Sequence, residues 1–160
     1  MKFLLLDKIH ELIPGKSAKG VKCWSLDNEI FQDHFPGFPT VPGVLITESM
    51  AQLAGVLIEH SYYAEYGNEH PVYPILSIIQ KAKFRTFVSP GDQCFVEAEA
   101  DSLDKVRGTA RTKTTVNGEI VSEAVLSFLI LGQETGMQNN RFFGKHDQYM
   151  QTILPEAFRK

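Results

Sequence analysis

One long apolar segment decides the fold, at residues 44–63, which read VLITESMAQLAGVLIEHSYY. Apolar side chains cover most of the circumference of a helix drawn on this segment, which predicts a largely buried helix from Val44 to Tyr63. The polar positions fall on one line, at offsets of 0, 4, 7 and 11 residues; they are Glu48, Gln52, Gly55 and Glu59. The segment therefore predicts a central helix with a single polar stripe.

Strand-like segments lie on both sides of this helix. Two precede it and four follow it, at residues 3–13, 18–25, 75–88, 93–103, 106–116 and 119–131. The dipeptide Asn117-Gly118 between the last two is a strong signal for a tight hairpin, so the last three runs are predicted to form an antiparallel meander. One long helix and about six strands predict an α+β fold in which a sheet wraps around the helix.

The length of 160 residues predicts one domain. We assign that domain to residues 1–132 and treat residues 133–160, which lack strand periodicity, as a C-terminal extension. Within the extension, residues 147–154 are compatible with a short amphipathic helix.

The charges are unevenly distributed. Residues 23–80 carry seven acidic residues and no Lys or Arg, so chemistry in this stretch would use histidine and carboxylates. The net charge of −3 and the lack of a polybasic segment argue against binding to nucleic acid or to an anionic membrane.

The cysteine usage and the N-terminus predict a cytoplasmic protein. Cys23 and Cys94 are far apart and have no metal-ligand spacing, which predicts two buried free thiols. The apolar start ends at Asp7, which is too early for the core of a signal peptide.

The candidate catalytic residues are His34 and Glu48. His34 lies in a segment, residues 31–43, that carries three prolines at a spacing of three and is predicted to be a stiff, extended loop. A single histidine beside aromatic residues is more often structural, and a single helical Glu is usually solvated. A carboxylate among apolar neighbours, however, is costly to bury, so it needs either an interaction partner or a functional role. Taken as a pair, His34 and Glu48 favour a catalytic function, in which one is a candidate base and the other a candidate acid.

A third element lies between them. Gly43 permits close approach of a backbone or a ligand. The first helical N–H groups, near Val44, lack intrahelical partners and can polarise a carbonyl oxygen.

The stretch from Asp33 to Gln52, DHFPGFPTVPGVLITESMAQ, resembles the signature of the 3-hydroxyacyl-acyl-carrier-protein dehydratases of FabZ type. Residues 3–9, 81–85 and 88–93 are similar as well, and the likeness covers about residues 3–131. The residue before His34 is usually Gly in that family, and here it is Asp33. This departure puts the rate and the pH optimum in question.

The resemblance implies a hot-dog fold and a homodimer or a trimer of dimers, in which His34 meets Glu48 of the partner subunit. It implies that His34 removes the C2 proton and that Glu48 protonates the leaving C3 hydroxyl. The N–H groups of Gly43 and Val44 would hold the thioester carbonyl. Further substrate-binding residues would be Gln52, one turn above Glu48, and two aromatic residues that could line an acyl tunnel, Phe35 and Phe38.

No metal or redox cofactor is implied, because the acyl chain is carried on the phosphopantetheine of acyl carrier protein. Such carriers are acidic, so a basic docking face is expected. Lys81, Lys83 and Arg85 alternate with apolar residues and would share one face of a strand. The alternative is that they only keep a solvated strand edge from aggregating.

Two other functions remain open at this stage. One is a hot-dog acyl thioesterase, in which the carboxylate directs water at the thioester carbonyl. The other is a non-catalytic module that binds acyl thioesters.

Overall fold

A computed structural model describes residues 3–132 and 148–159. Its elements in chain order are β1 (Lys8–Ile13), β2 (Ser17–Cys23), α1 (Ile30–Asp33), α2 (Gly43–Tyr66), β3 (Tyr73–Phe84), β4 (Gln93–Leu103), β5 (Arg107–Val116) and β6 (Glu119–Leu131). Residues 148–153 are helical, and Glu156–Phe158 form one 3-10 turn.

The six strands form one antiparallel sheet in the order β1-β2-β4-β5-β6-β3, and α2 contacts all six. The core lies between α2 and the sheet, where Met50, Leu53 and Leu57 of the helix are fully buried. At Gly108 a Cβ would lie 2.7 Å from Ile58, so glycine lets β5 approach the helix. The predicted α+β fold, with a sheet wrapped around one helix, is confirmed.

The meander and its hairpin are confirmed. β4, β5 and β6 pair in sequence, and Cys94, Val96 and Ala98 of β4 point into the core. Asn117 and Gly118 adopt φ angles of 51° and 85°, the left-handed conformation that a type I′ turn requires at both central residues.

Several segments differ from their predicted extents. β1 begins at Lys8 rather than at residue 3, because the Leu5 N–H bonds to the side chain of Gln52 instead of to a strand. Residues 31–33 belong to the short helix α1, since the first proline comes only at position 36. β3 ends at Phe84 rather than at residue 88. The helix α2 continues to Tyr66 and stops at Gly67, whose φ of 89° is readily adopted by glycine.

The solvent-facing side of the sheet carries a row of alternating charges. One residue from each strand takes part, in the order Glu11, Lys19, Glu97, Lys113, Glu123, Lys83. Within this charge row, Lys19 lies 3.0 Å from Glu11 and Lys113 lies 3.2 Å from Glu97. Cross-strand pairs of opposite charge stabilise a sheet, although exposed pairs contribute little each.

The two cysteines are free, but only one is buried. Cys94 faces the core, and burial raises the pKa of its thiol to about 12. Cys23 is exposed, so the prediction of two buried thiols is wrong for this residue. It is the last residue of β2, where the alternation of side chains points it towards solvent.

β3 is an edge strand with an unusual surface. Its side chains Ile75, Ile78, Ile79 and Phe84 are exposed to between 37% and 52%. Native proteins normally cover or charge such an edge.

In the described part of the chain, no helix is long and apolar enough to cross a membrane.

Candidate active site

His34 is held in one ring orientation. It caps α1, and its Nδ1 lies 3.0 Å from the carbonyl oxygen of Thr40. A carbonyl oxygen only accepts hydrogen bonds, so Nδ1 carries a proton, and in the neutral form of the ring the lone pair is on Nε2. Histidine in this tautomer can act as a base through Nε2.

Thr40 is the residue that sequence reasoning missed. It is buried, its N–H donates to the His34 carbonyl at 2.9 Å, and its hydroxyl donates to the Val88 carbonyl at 3.1 Å. These bonds close the proline-rich loop on itself and attach it to the segment after β3. A backbone carbonyl leaves no signature in a sequence, so no signal pointed to this role.

The aromatic residues of the loop lie on the surface of the single chain. Phe35 and Phe38 are 51% and 55% exposed. The Phe35 ring stacks on His34 with centroids 3.9 Å apart, and the Phe38 ring meets Phe87 edge to face. Neither lines the cavity described below, and their role in an acyl tunnel stays a prediction. Asp33, the last residue of α1, is exposed.

Glu48 is half-buried and is oriented by Gln52. The Gln52 amide donates to Glu48 at 3.0 Å and to the Phe3 carbonyl at 3.1 Å, and its oxygen accepts the Leu5 N–H at 2.8 Å. The predicted proximity of the two side chains, one helical turn apart, is what the structure shows. Gln52 thus fixes the carboxyl group against the N-terminal segment.

A cavity of about 460 Å³ opens beside Glu48. All four residues of the polar stripe line it, together with side chains from β3 such as Ile75 and Leu76. Its volume is typical of a small-molecule site. His34 does not line this cavity, so within one chain the described residues do not unite the two candidate catalytic groups.

The start of α2 presents unpaired N–H groups. The N–H groups of Leu45 and Ile46 both bond to the Pro42 carbonyl, whereas Gly43 and Val44 have no acceptor for theirs in residues 3–132 and 148–159. Val44 is 72% exposed, so the start of α2 lies at the surface of the single chain.

The space beside the Cα atom of Gly43 is occupied by a side chain of the same protein chain. A Cβ there would lie 2.8 Å from the Phe84 ring. The close neighbour that Gly43 permits in this structure is therefore an aromatic side chain of β3.

The proposed docking residues gather around one carboxylate. Lys83 lies 3.9 Å and Arg85 2.9 Å from Glu123, and Lys81 faces the same group across the strand pair. The Arg85 guanidinium in particular holds the pKa of Glu123 below its usual value. Arg85 follows the last residue of β3, and all three cations are exposed.

The described part of the chain carries an oriented histidine, an oriented carboxyl group and two N–H groups without an acceptor, although one chain does not bring His34 and Glu48 together. These are the groups needed to move a proton next to a carbonyl and to stabilise the oxyanion that forms. In the described ranges, no group of three or more His, Cys, Asp or Glu residues could hold a metal ion.

A six-stranded antiparallel sheet around one long helix, with a histidine loop leading into that helix, defines a hot-dog protein. Residues 1–125 match the family model described as a FabA-like domain, and the chain belongs to this family.

The similar curated proteins include the 3-hydroxyacyl-[acyl-carrier-protein] dehydratase FabZ of a Hydrogenobaculum species. It is 42% identical over 123 residues, which are 77% of this chain and 81% of the relative. The protein of the same name from Caldicellulosiruptor saccharolyticus is 41% identical over 80% of this chain and 88% of its own.

Solved structures share the fold. The smu.793 protein of Streptococcus mutans, crystallised with acetyl CoA, superposes with a TM-score of 0.61 at 11% identity and covers 78% of this chain and 88% of its own. The dehydratase heterocomplex ApeI:P of Xenorhabdus doucetiae gives 0.51 at 19% identity over 74% of this chain and 92% of its own.

Proposed function

We propose that this protein is a 3-hydroxyacyl-acyl-carrier-protein dehydratase, a hydro-lyase that forms trans-2-enoyl thioesters in fatty-acid biosynthesis. The observation that carries the proposal is the family match, which spans both His34 and Glu48. Curated dehydratases about 40% identical over four fifths of the chain support the same reaction. The tautomer of His34 is the one that the reaction needs.

The reaction removes water across C2 and C3 of the acyl chain. Nε2 of His34 takes the C2 proton, and the electron pair left behind forms the C2–C3 double bond as the C3–O bond breaks. Glu48 donates its proton to the departing hydroxyl, which leaves as water. The N–H groups of Gly43 and Val44 hold the thioester oxygen as negative charge develops on it.

The active site in this proposal is shared between two subunits, with His34 of one facing Glu48 of the other. The separation of His34 from the Glu48 cavity in one chain supports this arrangement. The apolar, unpaired edge of β3 supports a homodimer built by pairing two such edges, alone or within a trimer of dimers.

The partner is acyl carrier protein, which delivers the substrate on its phosphopantetheine in the cytoplasm. Lys81, Lys83 and Arg85 form the docking face, since an acidic carrier is attracted to exposed cations. Phe35 and Phe38 line the acyl tunnel in this proposal. No metal or redox cofactor takes part in the steps above.

The test is a product analysis with purified protein and two substrates, a 3-hydroxyacyl thioester and the matching saturated acyl thioester. We expect enoyl thioester from the first and no reaction with the second. Release of free thiol would instead identify a thioesterase. Binding of both without turnover would identify an acyl-thioester binding module, and either result would overturn the proposal.

A further inference from the structure

The cavity beside Glu48 runs along α2, and five residues of the C-terminal segment 148–158 line it as well. His60 lies 12 positions after Glu48, about 18 Å along the helix axis. There the Phe158 ring meets the His60 ring edge to face, with centroids 5.1 Å apart. Both rings line the cavity.

The C-terminal segment, residues 148–158, is part of the hydrophobic core. Met150, Ile153 and Leu154 are each at most 8% exposed, and Met150 and Leu154 also line the cavity. The Arg159 side chain donates to the Leu154 carbonyl at 3.0 Å, which ties the 3-10 turn to the helical segment. Residues 148–158 therefore form a packed wall.

This wall lies outside the family domain. The match to the FabA-like domain ends at residue 125, more than twenty residues before the segment begins. Part of the cavity lining thus comes from a segment of this chain that lies beyond the family match.

The polar groups near the wall have partners within the chain. The Tyr63 hydroxyl accepts the Val72 N–H at 3.1 Å and contacts Glu59. Burial raises the pKa of Tyr63, and the negative charge of Glu59 raises it further, so the phenol stays neutral. An apolar chain end can lie beside these groups without leaving them unsatisfied.

We propose that residues 148–158 are the end wall of the acyl-chain chamber and set the longest acyl chain that the enzyme accepts. The inference rests on the proposed function, because it assigns the cavity to the tail of the 3-hydroxyacyl substrate. A chain that reaches the wall can be extended only by displacing packed side chains. One methylene misfitted in an apolar pocket changes kcat/KM by roughly 10-fold to 200-fold.

The test compares two neighbouring residues of the wall. Leu154 and Ile153 are 4% and 5% exposed, but only Leu154 lines the cavity. The kcat/KM of the wild type is measured for 3-hydroxyacyl thioesters of increasing length, and a steep decline is expected beyond one length. Leu154→Ala should move the decline to a longer chain by at least one two-carbon step, and Ile153→Ala should leave it in place.

The melting temperatures of Leu154→Ala and Ile153→Ala show whether each variant is folded. Phe158→Ala is a second wall variant, which should open the end of the chamber beside His60. If the dependence of kcat/KM on chain length is unchanged in both Leu154→Ala and Phe158→Ala, the end-wall proposal is wrong. It is also wrong if Ile153→Ala shifts that dependence as far as Leu154→Ala does. In either case the variants still dehydrate their substrates, so the proposed function is not affected. Failure of the wild type to dehydrate a thioester of any length would overturn the proposed function itself.

Discussion

The ring of His34 donates a hydrogen bond from Nδ1 to the carbonyl oxygen of Thr40 across 3.0 Å. This contact fixes both the tautomer and the direction of Nε2. Because Thr40 is itself bonded to Val88, the base is held by a buried part of the fold although its loop lies at the surface.

Replacement of His34 tests its role as the base. His34→Ala should lower the dehydration rate by about 10²-fold to 10⁴-fold, the usual contribution of a positioned proton-transfer group. Enoyl formation is the measurement, and the melting temperature should change little because the residue is only half-buried. His10→Ala, at an exposed position of β1, is the matched control. Turnover retained in His34→Ala would exclude this residue as the base.

Mixing subunits tests the shared site. His34→Ala and Glu48→Ala proteins are each expected to be inactive, whereas a heterodimer contains one site with both native groups. Random exchange of equal amounts should restore about a quarter of the wild-type activity, since half of the dimers are mixed and each has one intact site. No recovery, once exchange has been demonstrated with two different tags, would place both groups in one chain.

Gln52 is expected to act by positioning Glu48. Gln52→Ala removes three hydrogen bonds, so we expect a loss of about 1–3 kcal/mol of stability and up to about 100-fold in kcat, with KM nearly unchanged.

The matched control for this variant is Ser61→Ala, on the same helix. The Ser61 hydroxyl accepts the Gly15 N–H at 2.7 Å, but the residue does not line the cavity. It should lower the melting temperature and leave kcat unchanged. If kcat falls equally in Gln52→Ala and Ser61→Ala, Gln52 contributes only to stability and does not position Glu48 for catalysis.

The docking assignment predicts a dependence on the carrier. Charge reversal with Lys83→Glu and Arg85→Glu should raise KM for carrier-linked substrates about tenfold at low salt, and the difference should shrink as salt screens the attraction. Short free thioester mimics should be affected little. Lys19→Glu, on β2 and four places from Lys83 in the charge row, is the control. Equal effects on both kinds of substrate would remove the docking assignment.

The sequence predicted the sheet well where apolar and polar residues alternate strictly, as in β4. It failed at residues 3–6, where an apolar run resembles a strand. Leu5 and Leu6 are buried there, but the backbone bonds to an amide that lies 47 residues further along the chain. Such a long-range contact has no local signal.

The candidate site was predictable in the same uneven way. The helical spacing of Glu48 and Gln52 predicted that they share one face, because residues four apart are neighbours on a helix, and the structure joins them by a hydrogen bond. The amphipathic pattern at residues 147–154 indicated a helix, and residues 148–153 are helical. The packing of the C-terminal segment could not be predicted, since its ring contact between Phe158 and His60 joins residues 98 positions apart.

The charge row restricts which charged substitutions the outer face of the sheet can accept. Every internal member has an oppositely charged neighbour on both sides, so a single reversal creates three like charges in line. Glu97→Lys, for example, would place an ammonium group between those of Lys19 and Lys113. Reversing Lys113 as well would not restore the alternation, because each of the two exchanged residues would then face a like charge on its outer side. Replacement of single charges by neutral polar residues is therefore the milder change along the outside of the sheet.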